Sequence, residues 1–393
     1  MRIKRQSNGQ WLFLDPTLVI GAGGEARIYL VPEEKGIVAK IYHKPTPMQA
    51  RKLAVMIANP PEDPMAPQGH IAIAWPLDLL LHGEDGRKVI GFLMPRITGM
   101  RPLIEFYNPR TRRRQTPLFN YLYLHRAARN LAAVVRALHA RGYVIGDLNE
   151  SNILMSETTL VTIVDTDSFQ VPDPERGTTY RCPVGKPEFT PPELQSQYFE
   201  EVDRTPEHDL FGLGVLLFKL LMEGTHPFDG LYEGSGEPPP YKARIAAGYF
   251  PYARWRRVPF RPPPSAPPFE ILHPALRELF WRCFEEGHTN PSARPDAQTW
   301  LGALTQAEES LVTCVDNDQH WYGKHLSTCP WCERTQRLGW RDPFPSRQAV
   351  ALGHHLLPDS SPPTPVLPPN PPLLPQPQSP PASPAPPPTL PPR

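Results

Sequence analysis

The order of strand-like and helix-like segments along the chain constrains its fold more than any other feature of the sequence. Short apolar segments between residues 10–42, interrupted by Gly and Pro, predict antiparallel strands. A helix is predicted over residues 47–58, and further strands are predicted over residues 71–75 and 89–94. After residue 118 the apolar residues recur at helical spacing. We therefore predict an α+β fold, with a small antiparallel β-rich lobe followed by a larger helical lobe.

Composition limits the class of protein. The chain has 393 residues, 40% of them hydrophobic, and a formal net charge of +1, so we expect a buried core and no general attraction to nucleic acid or membrane. The most apolar run, residues 210–222, is too short to span a bilayer and predicts a buried helix. No signal peptide is visible, and three of the five cysteines lie within residues 314–332. We expect a cytoplasmic protein without a disulfide framework.

A glycine-rich turn lies between two of the predicted strands. Gly21, Gly23 and Gly24 would let backbone amides approach phosphate oxygens without obstruction by side chains. The turn alone also fits an ordinary hairpin. Lys40, in a predicted strand that follows, favours phosphate binding, because a lysine in a buried strand is rare without an anionic partner.

The segment after the predicted helix over residues 121–140 carries the most informative polar residues. Asp147 is followed after four residues by Asn152 and an apolar pair, and Asp165 directly follows a predicted strand. This pattern resembles the catalytic loop and the metal-binding loop of eukaryotic-like protein kinases. The resemblance implies that Asp147 accepts the proton of the substrate hydroxyl and that Asn152 and Asp165 bind Mg²⁺ or Mn²⁺. Asp167 takes the glycine position of that motif and is not expected to bind the ion.

Three distant elements extend the resemblance in the order that the family shows, and together the motifs cover residues 10–305. Pro192 and Glu193 resemble the end of the activation segment, Asp209 resembles the aspartate that braces the catalytic loop, and Arg294 resembles the partner of Glu193. The resemblance implies a two-lobed protein kinase fold. It further implies a Ser/Thr protein kinase that binds ATP and Mg²⁺ between the lobes and transfers the γ-phosphate to protein substrates.

A narrower resemblance is carried by residues 59–64, 92–97 and 184–194. These stretches are similar to bacterial kinases encoded with a PP2C-type phosphatase and a von Willebrand A-type protein, in the tellurite-resistance-associated cassette, and imply both proteins as partners. Met94 would lie near the gatekeeper position and Pro95 would open the hinge beside adenine. The nucleotide-binding residues implied are Gly21, Ala22, Gly23, Gly24, Ala26, Ile28, Ala39, Lys40, Met94, Pro95, Arg96 and Ile97.

The sequence departs from the family pattern around the catalytic loop and in the first helix. Gly146 replaces the arginine before the catalytic aspartate, so we expect little dependence on phosphorylation of the activation segment. Asn149 replaces a lysine that neutralises the transferred phosphate, and Lys186 or Arg181 are candidates to supply that charge. The helix over residues 47–58 has no glutamate to pair with the strand lysine. The side chains that could take this part are Gln49, Glu62 and Asp63.

A cluster of metal-ligand residue types follows the kinase-like region. Cys314, Cys329 and Cys332 have the spacing of a structural zinc site, and the fourth ligand would be His320, with His325 as the alternative. The module is too short for a hydrophobic core of its own, so metal binding would supply folding free energy. A redox-active cysteine pair or free thiols are the competing interpretations.

The predicted domains are a kinase domain over residues 1–308, with lobes at about 1–97 and 98–308, a zinc-binding module over residues 309–340, and a disordered Pro-rich tail over residues 341–393. The tail would act as a linker or bind a polyproline-recognising partner. The basic run at residues 110–114 is interpreted as a solvated loop rather than a nucleic-acid site.

Two alternative functions stay open at this point. A nucleotide-binding pseudokinase that acts as a scaffold would account for the missing glutamate and the altered catalytic loop. A small-molecule kinase would share the fold, since related folds host different functions.

Overall fold

The amino-terminal lobe is built on one antiparallel sheet. The computed structural model describes residues 1–83, 86–339 and 341–356, and the proline-rich segment after Pro358 lies outside them. The strands of the lobe are β1 (Arg2–Arg5), β2 (Trp11–Phe13), β3 (Val19–Ala22), β4 (Ala26–Leu30), β5 (Ile37–Tyr42), β6 (Asp78–His82) and β7 (Val89–Pro95). They are hydrogen-bonded in the order β2-β1-β6-β7-β5-β4-β3. The glycine-rich turn and Lys40 therefore lie at one side of this sheet.

The sequence predictions for this lobe are confirmed at β2 to β5, at β7 and at helix α1 (Pro47–Ala58), but the strand predicted over residues 71–75 is wrong. Most of that segment is buried, yet Ile73 forms only an isolated bridge with Ile163. The strand is β6, which starts after Pro76. A short apolar run reports burial and does not by itself distinguish a strand from an irregular buried segment.

Helix α1 begins where its sequence supplies a capping box. Thr46 Oγ1 accepts a hydrogen bond from Gln49 N at 3.2 Å, and Gln49 Oε1 accepts one from Thr46 N at 2.9 Å. Pro47 occupies the first helical position, where its missing N–H costs nothing. The Gln49 side chain is thereby used at the helix end.

The carboxyl-terminal lobe is mostly helical. Its helices are α2 (Ile104–Tyr107), α3 (Pro109–Gln115), α4 (Tyr121–Ala140), α5 (Pro206–Leu221), α6 (Tyr241–Ala247), α7 (Pro274–Trp281), α8 (Gly287–Thr289) and α9 (Ala297–Glu309), with a π-helical segment (Arg282–Glu286) joining α7 to α8. Helix α4 has the bounds that the sequence predicts. Helix α5 is apolar nearly all round and buried, as predicted for residues 210–222. No helix in the described part of the chain is long and apolar enough to cross a membrane.

Short strands and 3-10 helices connect these helices. The strands are β8 (Arg101–Pro102), β9 (Ile153–Met155), β10 (Val161–Ile163), β11 (Val171–Asp173), β12 (Thr178–Tyr180), β13 (Leu231–Tyr232) and β14 (Phe260–Arg261). The 3-10 helices include Glu150–Asn152, Thr166–Ser168, Pro187–Phe189 and Pro192–Leu194. Strands β8 to β10 form one sheet, and β11 pairs with β12, so the segments around Asp147 and Asp165 are fixed by local sheets.

A small module follows α9 and continues into helix α11. Its elements are β15 (Leu311–Thr313), β16 (Trp321–Gly323), α10 (Pro330–Arg337) and α11 (Arg347–Ala351), the last within the segment predicted as tail. The buried Trp331 ring lies 4.7 Å from the ring of Tyr121 and 4.8 Å from that of Phe344. These aromatic contacts place the module directly against helix α4.

Candidate active site

The loop that carries Asp147 is held by a carboxylate from helix α5. Asp209 accepts hydrogen bonds from Ile145 N at 2.7 Å and from Gly146 N at 2.8 Å. His139 Nε2 lies 3.0 Å from Asp209 Oδ2. Because Asp209 is buried, its charge requires such donors, and the donors in turn fix the backbone of the loop.

Asp147 and Asn152 are in contact at the centre of this loop. Asn152 Nδ2 lies 3.0 Å from the backbone oxygen of Asp147 and 3.1 Å from Asp147 Oδ2. The other carboxylate oxygen, Oδ1, is buried and has no hydrogen-bond partner among the described residues. Leaving a buried acceptor unpaired costs free energy, so the loop holds this carboxylate oxygen at a cost to stability.

Lys40 joins the amino-terminal lobe to the loop after β10. Its Nζ lies 2.7 Å from Asp165 Oδ1 and 2.6 Å from Asp167 Oδ1. The hydroxyl of Tyr42 donates to Asp167 Oδ2 at 2.7 Å. Burial lowers the pKa of Lys40, but the two carboxylates outweigh that effect and hold its pKa above the ordinary value. Lys40 is therefore a firmly held cation.

The two aspartates of this loop differ in exposure. The Asp165 side chain is 45% exposed and its residue adopts a left-handed backbone conformation with φ of 59°. The Asp167 side chain is only 7% exposed and is fully engaged by Lys40 and Tyr42. Asp165 is thus the accessible carboxylate, and Asp167 is the one that anchors the lysine.

None of the three side chains suggested from sequence as partners of Lys40 contacts it. Gln49 caps α1, and Asp63 accepts hydrogen bonds from Met65 N at 2.9 Å and Ala72 N at 2.7 Å. Glu62 makes no contact with Lys40 in the described residues. Asp167 was not predicted as a partner of Lys40, because the sequence pattern of the family places that acid in or beside the helix. The available signal was an extra acid two residues after Asp165.

Lys52 is a second residue that the sequence reasoning missed. It lies on α1, is 7% exposed, and forms no ion pair within the part of the chain that the structure describes. Its side chain lines a cavity of about 580 Å³ together with Asp165, Asp167 and Arg181. Burial lowers the pKa of Lys52 from its ordinary value of 10.5 to about 8.

The glycine-rich turn lies between β3 and β4, beside Lys40. In the pairing of β4 with β5, Ile28 is opposite Lys40. Gly23 N donates to Ala26 O at 3.0 Å and closes the turn. Side-chain atoms added at Gly23 or Gly24 would meet nothing within 4 Å, so the tip of the turn faces open space. Its backbone is therefore accessible to a ligand.

The predicted hinge follows β7. Met94 and Pro95 end the strand and pair with β5, where Met94 is opposite Val38. Arg96 N donates to Gly36 O at 2.8 Å, so neither Pro95 nor Arg96 offers a free amide. Ile97 is half-buried, and its amide is the first after Pro95 that donates no hydrogen bond within the described residues.

Arg204 occupies the space beside Gly146. A Cβ at Gly146 would lie 2.7 Å from both Arg204 Nη1 and Cys182 Cβ, and the glycine has φ of 74°. Arg204 Nη2 donates to Val184 O at 2.7 Å. Gln170 Nε2 donates to Arg204 O at 2.7 Å. A buried arginine thus fastens the segment between Asp165 and Glu193, hereafter the activation segment, to the structure around the catalytic loop.

The predicted pairing of Glu193 with Arg294 is confirmed. Arg294 Nη1 and Nη2 lie 2.6 Å and 2.7 Å from the two carboxylate oxygens of Glu193, and Arg294 Nε donates to Gly287 O at 3.0 Å. The Arg294 side chain is fully buried. This bidentate pair ties the end of the activation segment to helix α8.

A second cluster lies in the carboxyl-terminal module. One ligand atom from each of Cys314, His320, Cys329 and Cys332 lies within 4.8 Å of all the others. His320 Nδ1 is 3.6 Å from Cys329 Sγ and 3.4 Å from Cys332 Sγ. His325 is outside the cluster, since its Nε2 lies 3.0 Å from Glu270 O.

Asp342 contacts the histidine of this cluster on the side away from the cysteines. It was not predicted from the sequence. Its Oδ1 lies 2.9 Å from His320 Nε2, the ring nitrogen that faces away from the cysteines. A carboxylate on the second nitrogen of a metal-binding histidine fixes the orientation of the ring. Three sulfur atoms and one nitrogen at this spacing fit tetrahedral zinc.

Comparison with known proteins identifies the class to which this architecture belongs. Residues 104–294 match the family model described as a protein kinase domain. The match and the two-lobed architecture confirm the predicted protein kinase fold.

Two curated relatives are named as protein kinases. The chain is 36% identical to Protein kinase YegI of Escherichia coli O157:H7 over 320 residues, which are 81% of this chain and 48% of the relative. It is 36% identical to Protein kinase YegI of Escherichia coli strain K12 over 316 residues, 80% of this chain and 47% of the relative. The chain spans about half the length of these relatives.

Replacing Lys52 by Met should stabilise the protein. The substitution removes a buried ammonium that has no ion pair, and we expect the free energy of unfolding at pH 7 to rise by about 1–3 kcal/mol. Between the folded pKa of about 8 and the ordinary value of 10.5, the unfolded chain binds more protons. The contribution of Lys52 therefore becomes more favourable as pH rises through this window, and the gain from Lys52→Met should shrink.

Urea denaturation at pH 7, 8.5 and 10 measures this difference. The matched control is Lys35→Met, which changes an exposed lysine and should leave the unfolding free energy nearly unchanged. A Lys52→Met variant that is less stable than the wild-type protein at all three pH values would contradict the prediction. That outcome would mean that attraction to Asp165 and Asp167 exceeds the cost of burial.

Proposed function

We propose that the protein is a protein kinase that transfers the γ-phosphate of ATP to Ser or Thr hydroxyl groups of protein substrates. The observation that carries the proposal is the hydrogen bond from Asn152 Nδ2 to Asp147 Oδ2, in the fold that also presents Lys40 and Asp165. An acceptor in this place suits a substrate hydroxyl. Asn152 fixes the orientation of the Asp147 carboxylate through this bond.

The nucleotide would lie between the lobes. The glycine-rich turn would cover the phosphates, and Lys40 would contact them from β5. The amide of Ile97 is suited to hydrogen bonding with adenine, because the two residues before it have no free amide. Asn152 Oδ1 and Asp165 would hold Mg²⁺, which supplies neutralisation of the triphosphate charge when bound.

In the transfer itself, the hydroxyl oxygen of the substrate bonds to the γ-phosphorus while the bond to the β–γ bridging oxygen breaks. The hydroxyl proton passes to the Asp147 carboxylate, and ADP leaves with the bridging oxygen. Asp147 is held for this step by the amide of Asn152 and by the backbone contacts of Asp209.

The contact between Lys40 and Asp167 argues against the pseudokinase alternative. A lysine without a partner would be a poor phosphate ligand, and the missing glutamate was one of the two features that the pseudokinase alternative explained. Asp167 and Tyr42 provide an anchor that serves the same purpose as an acid on α1. Asp147, Asn152 and Asp165 are all present as well. The scaffold reading therefore has less support than catalysis.

Protein substrates are favoured over small molecules by the family relationship. The relatives are described as protein kinases, and the Glu193–Arg294 pair keeps the end of the activation segment in place for a polypeptide. A PP2C-type phosphatase and a von Willebrand A-type protein are proposed as partners from the sequence resemblance alone.

Phosphate transfer from labelled ATP tests the proposal. With Mg²⁺ and a generic basic protein, the wild-type protein should form labelled phosphoserine or phosphothreonine. Asp147→Asn should lower the rate by roughly 100- to 10,000-fold, because it removes the proton acceptor. Asp165→Asn should lower it at least as far through loss of Mg²⁺.

Nucleotide binding provides the control for this experiment. Asp147→Asn should bind ATP as tightly as the wild-type protein, since Asp147 is placed at the hydroxyl and not at the nucleotide. Wild-type protein that binds ATP but transfers nothing to itself, to proteins or to a metabolite panel would leave only the scaffold function. Transfer to metabolites alone would favour the small-molecule alternative.

Activity should not require phosphorylation of the activation segment. Arg204 already fastens that segment through Val184 O and Gln170, and Gly146 supplies no side chain to bind a phosphate. Protein treated with a phosphatase that is then removed should show the same initial rate as untreated protein. Arg204→Met should lower the rate in both preparations. A lag in the treated sample that disappears after preincubation with ATP would refute this expectation.

We also propose that the carboxyl-terminal cluster binds structural zinc through Cys314, His320 Nδ1, Cys329 and Cys332. The purified protein should contain about one zinc ion per chain. Cys332→Ser should remove it, and Asp342→Asn should weaken zinc binding by roughly 10- to 100-fold. His325→Ala is the matched control and should retain the metal. Elemental analysis and chelator competition measure these effects, and a metal-free wild-type protein would favour the redox or free-thiol readings.

A further inference from the structure

The catalytic loop has no positively charged side chain of its own to neutralise the phosphoryl group during transfer. Asn149 is fully buried, and its side chain is turned into the loop. Its Nδ2 donates to Asp147 O at 3.0 Å, and its Oδ1 accepts from Ser151 N at 2.9 Å. Asn149 therefore shapes the loop and caps the 3-10 helix Glu150–Asn152. A transition state with charge on three phosphoryl oxygens still needs a nearby positive group.

Most basic side chains around this loop are already used. Lys219 is bonded to Glu150, and Arg181 is paired with Asp203 at 2.7 Å. Arg204 is buried and holds the activation segment. Lys52 makes no contact with the catalytic loop within the described residues.

Lys186 differs from these residues. Its Nζ lies 2.5 Å from Ser151 Oγ, in the catalytic loop between Asn149 and Asn152. No carboxylate of the described residues lies within ion-pair distance of it, so its charge is bound only to a neutral hydroxyl. The ammonium is also not deeply buried, so it is free to contact a bound group.

The backbone of Lys186 is fixed by the segment that follows it. Thr190 Oγ1 donates to Lys186 O at 2.8 Å, and Phe189 N donates to the same oxygen at 3.0 Å. Gln195 Nε2 donates to Pro187 O at 2.9 Å. These bonds form the 3-10 turn Pro187–Phe189 and hold the start of the lysine side chain against the catalytic loop.

We propose that Lys186 is a catalytic residue that neutralises the γ-phosphoryl group during transfer, in place of a cation from the catalytic loop. This inference rests on the proposed kinase function. As the bond from the substrate oxygen to the γ-phosphorus forms and the bond to the leaving oxygen of ADP breaks, the Lys186 ammonium binds the non-bridging oxygens. It neither gains nor loses a proton, and Asp147 takes the proton of the hydroxyl. Ser151 positions the ammonium before the substrate arrives.

Lys186→Met tests this role. We expect kcat for phosphate transfer to fall about 100-fold or more, with the Kd for ATP and the KM for the protein substrate little changed. Lys186→Arg keeps the charge and should retain much of the activity. Lys35→Met, at an exposed lysine in the other lobe, is the matched control and should leave kcat unchanged.

A binding measurement separates catalysis from folding. Mg²⁺, ADP and aluminium fluoride together mimic the planar phosphoryl group, whereas ADP alone does not. Lys186→Met should lose affinity for the fluoride complex by about the same factor as kcat and should bind ADP normally. Thermal unfolding of both Lys186 variants should match that of the wild-type protein, because only one hydrogen bond of the side chain is lost.

Three results would overturn the inference. Undiminished kcat in Lys186→Met, with an active wild-type protein, would show that Lys186 is not catalytic while the kinase function stands. A raised KM for the protein substrate with unchanged kcat would make Lys186 a substrate-recognition residue. A wild-type protein without transfer activity would remove the proposed function and this inference with it.

Discussion

The carboxylate of Asp209 is the contact on which the geometry of the site depends. It is carried by α5, the most apolar helix of the fold, and buried there it accepts hydrogen bonds from two successive backbone amides of the catalytic loop. A charge in such a place is tolerated only when it is well paired, so the loop and the helix stabilise one another. Gly212 of the same helix allows close approach, since a Cβ there would lie 3.2 Å from Leu148 O. Asp147 is therefore aimed by the core of the larger lobe.

Lys40 is not held by a residue of the helical core, as the catalytic loop is. Its partners Asp165 and Asp167 come from one short segment after β10, and Tyr42 comes from its own strand. Helix α1 supplies Lys52 to this region and no acid. Hence the position of Lys40 depends on the metal-binding loop and does not depend on an ion pair with α1. Arg204 holds the activation segment in a similar way, through its hydrogen bond to Val184 O. Both features reduce the number of contacts that a regulator could switch.

The sequence was informative where a motif has a local physical meaning. Helical spacing and the stop at Asn59 and the prolines after it predicted the bounds of α1 to the residue, and the structure adds a capping box at its start. The order of Asp147, Asn152 and Asp165 likewise led to the central residues of the site. Contacts between distant segments could be predicted only where a family motif supplied both partners, as for Glu193 and Arg294. Three contacts that were not predicted join Asp167 to Lys40, Arg204 to Gly146 and Asp342 to His320. The partners are distant in sequence, and only the fold brings them together.

The contacts of the carboxyl-terminal module suggest how its metal would matter to the rest of the protein. Glu223, just after α5, forms a buried ion pair with Arg112, and Arg334 of α10 lies 3.5 Å from its other oxygen. Arg112 also donates to Pro343 O at 3.2 Å. The buried charges of Arg112, Glu223 and Arg334 therefore link the helical lobe to the module. Removing one member of such a group leaves an uncompensated buried charge, which is strongly destabilising. Among the described residues of the module, the buried hydrophobic side chains are those of Cys314, Trp331 and Phe344, so a bound metal would hold α10 in place. The free energy of metal binding would then stabilise the kinase domain through the Glu223 ion pairs as well as the module itself.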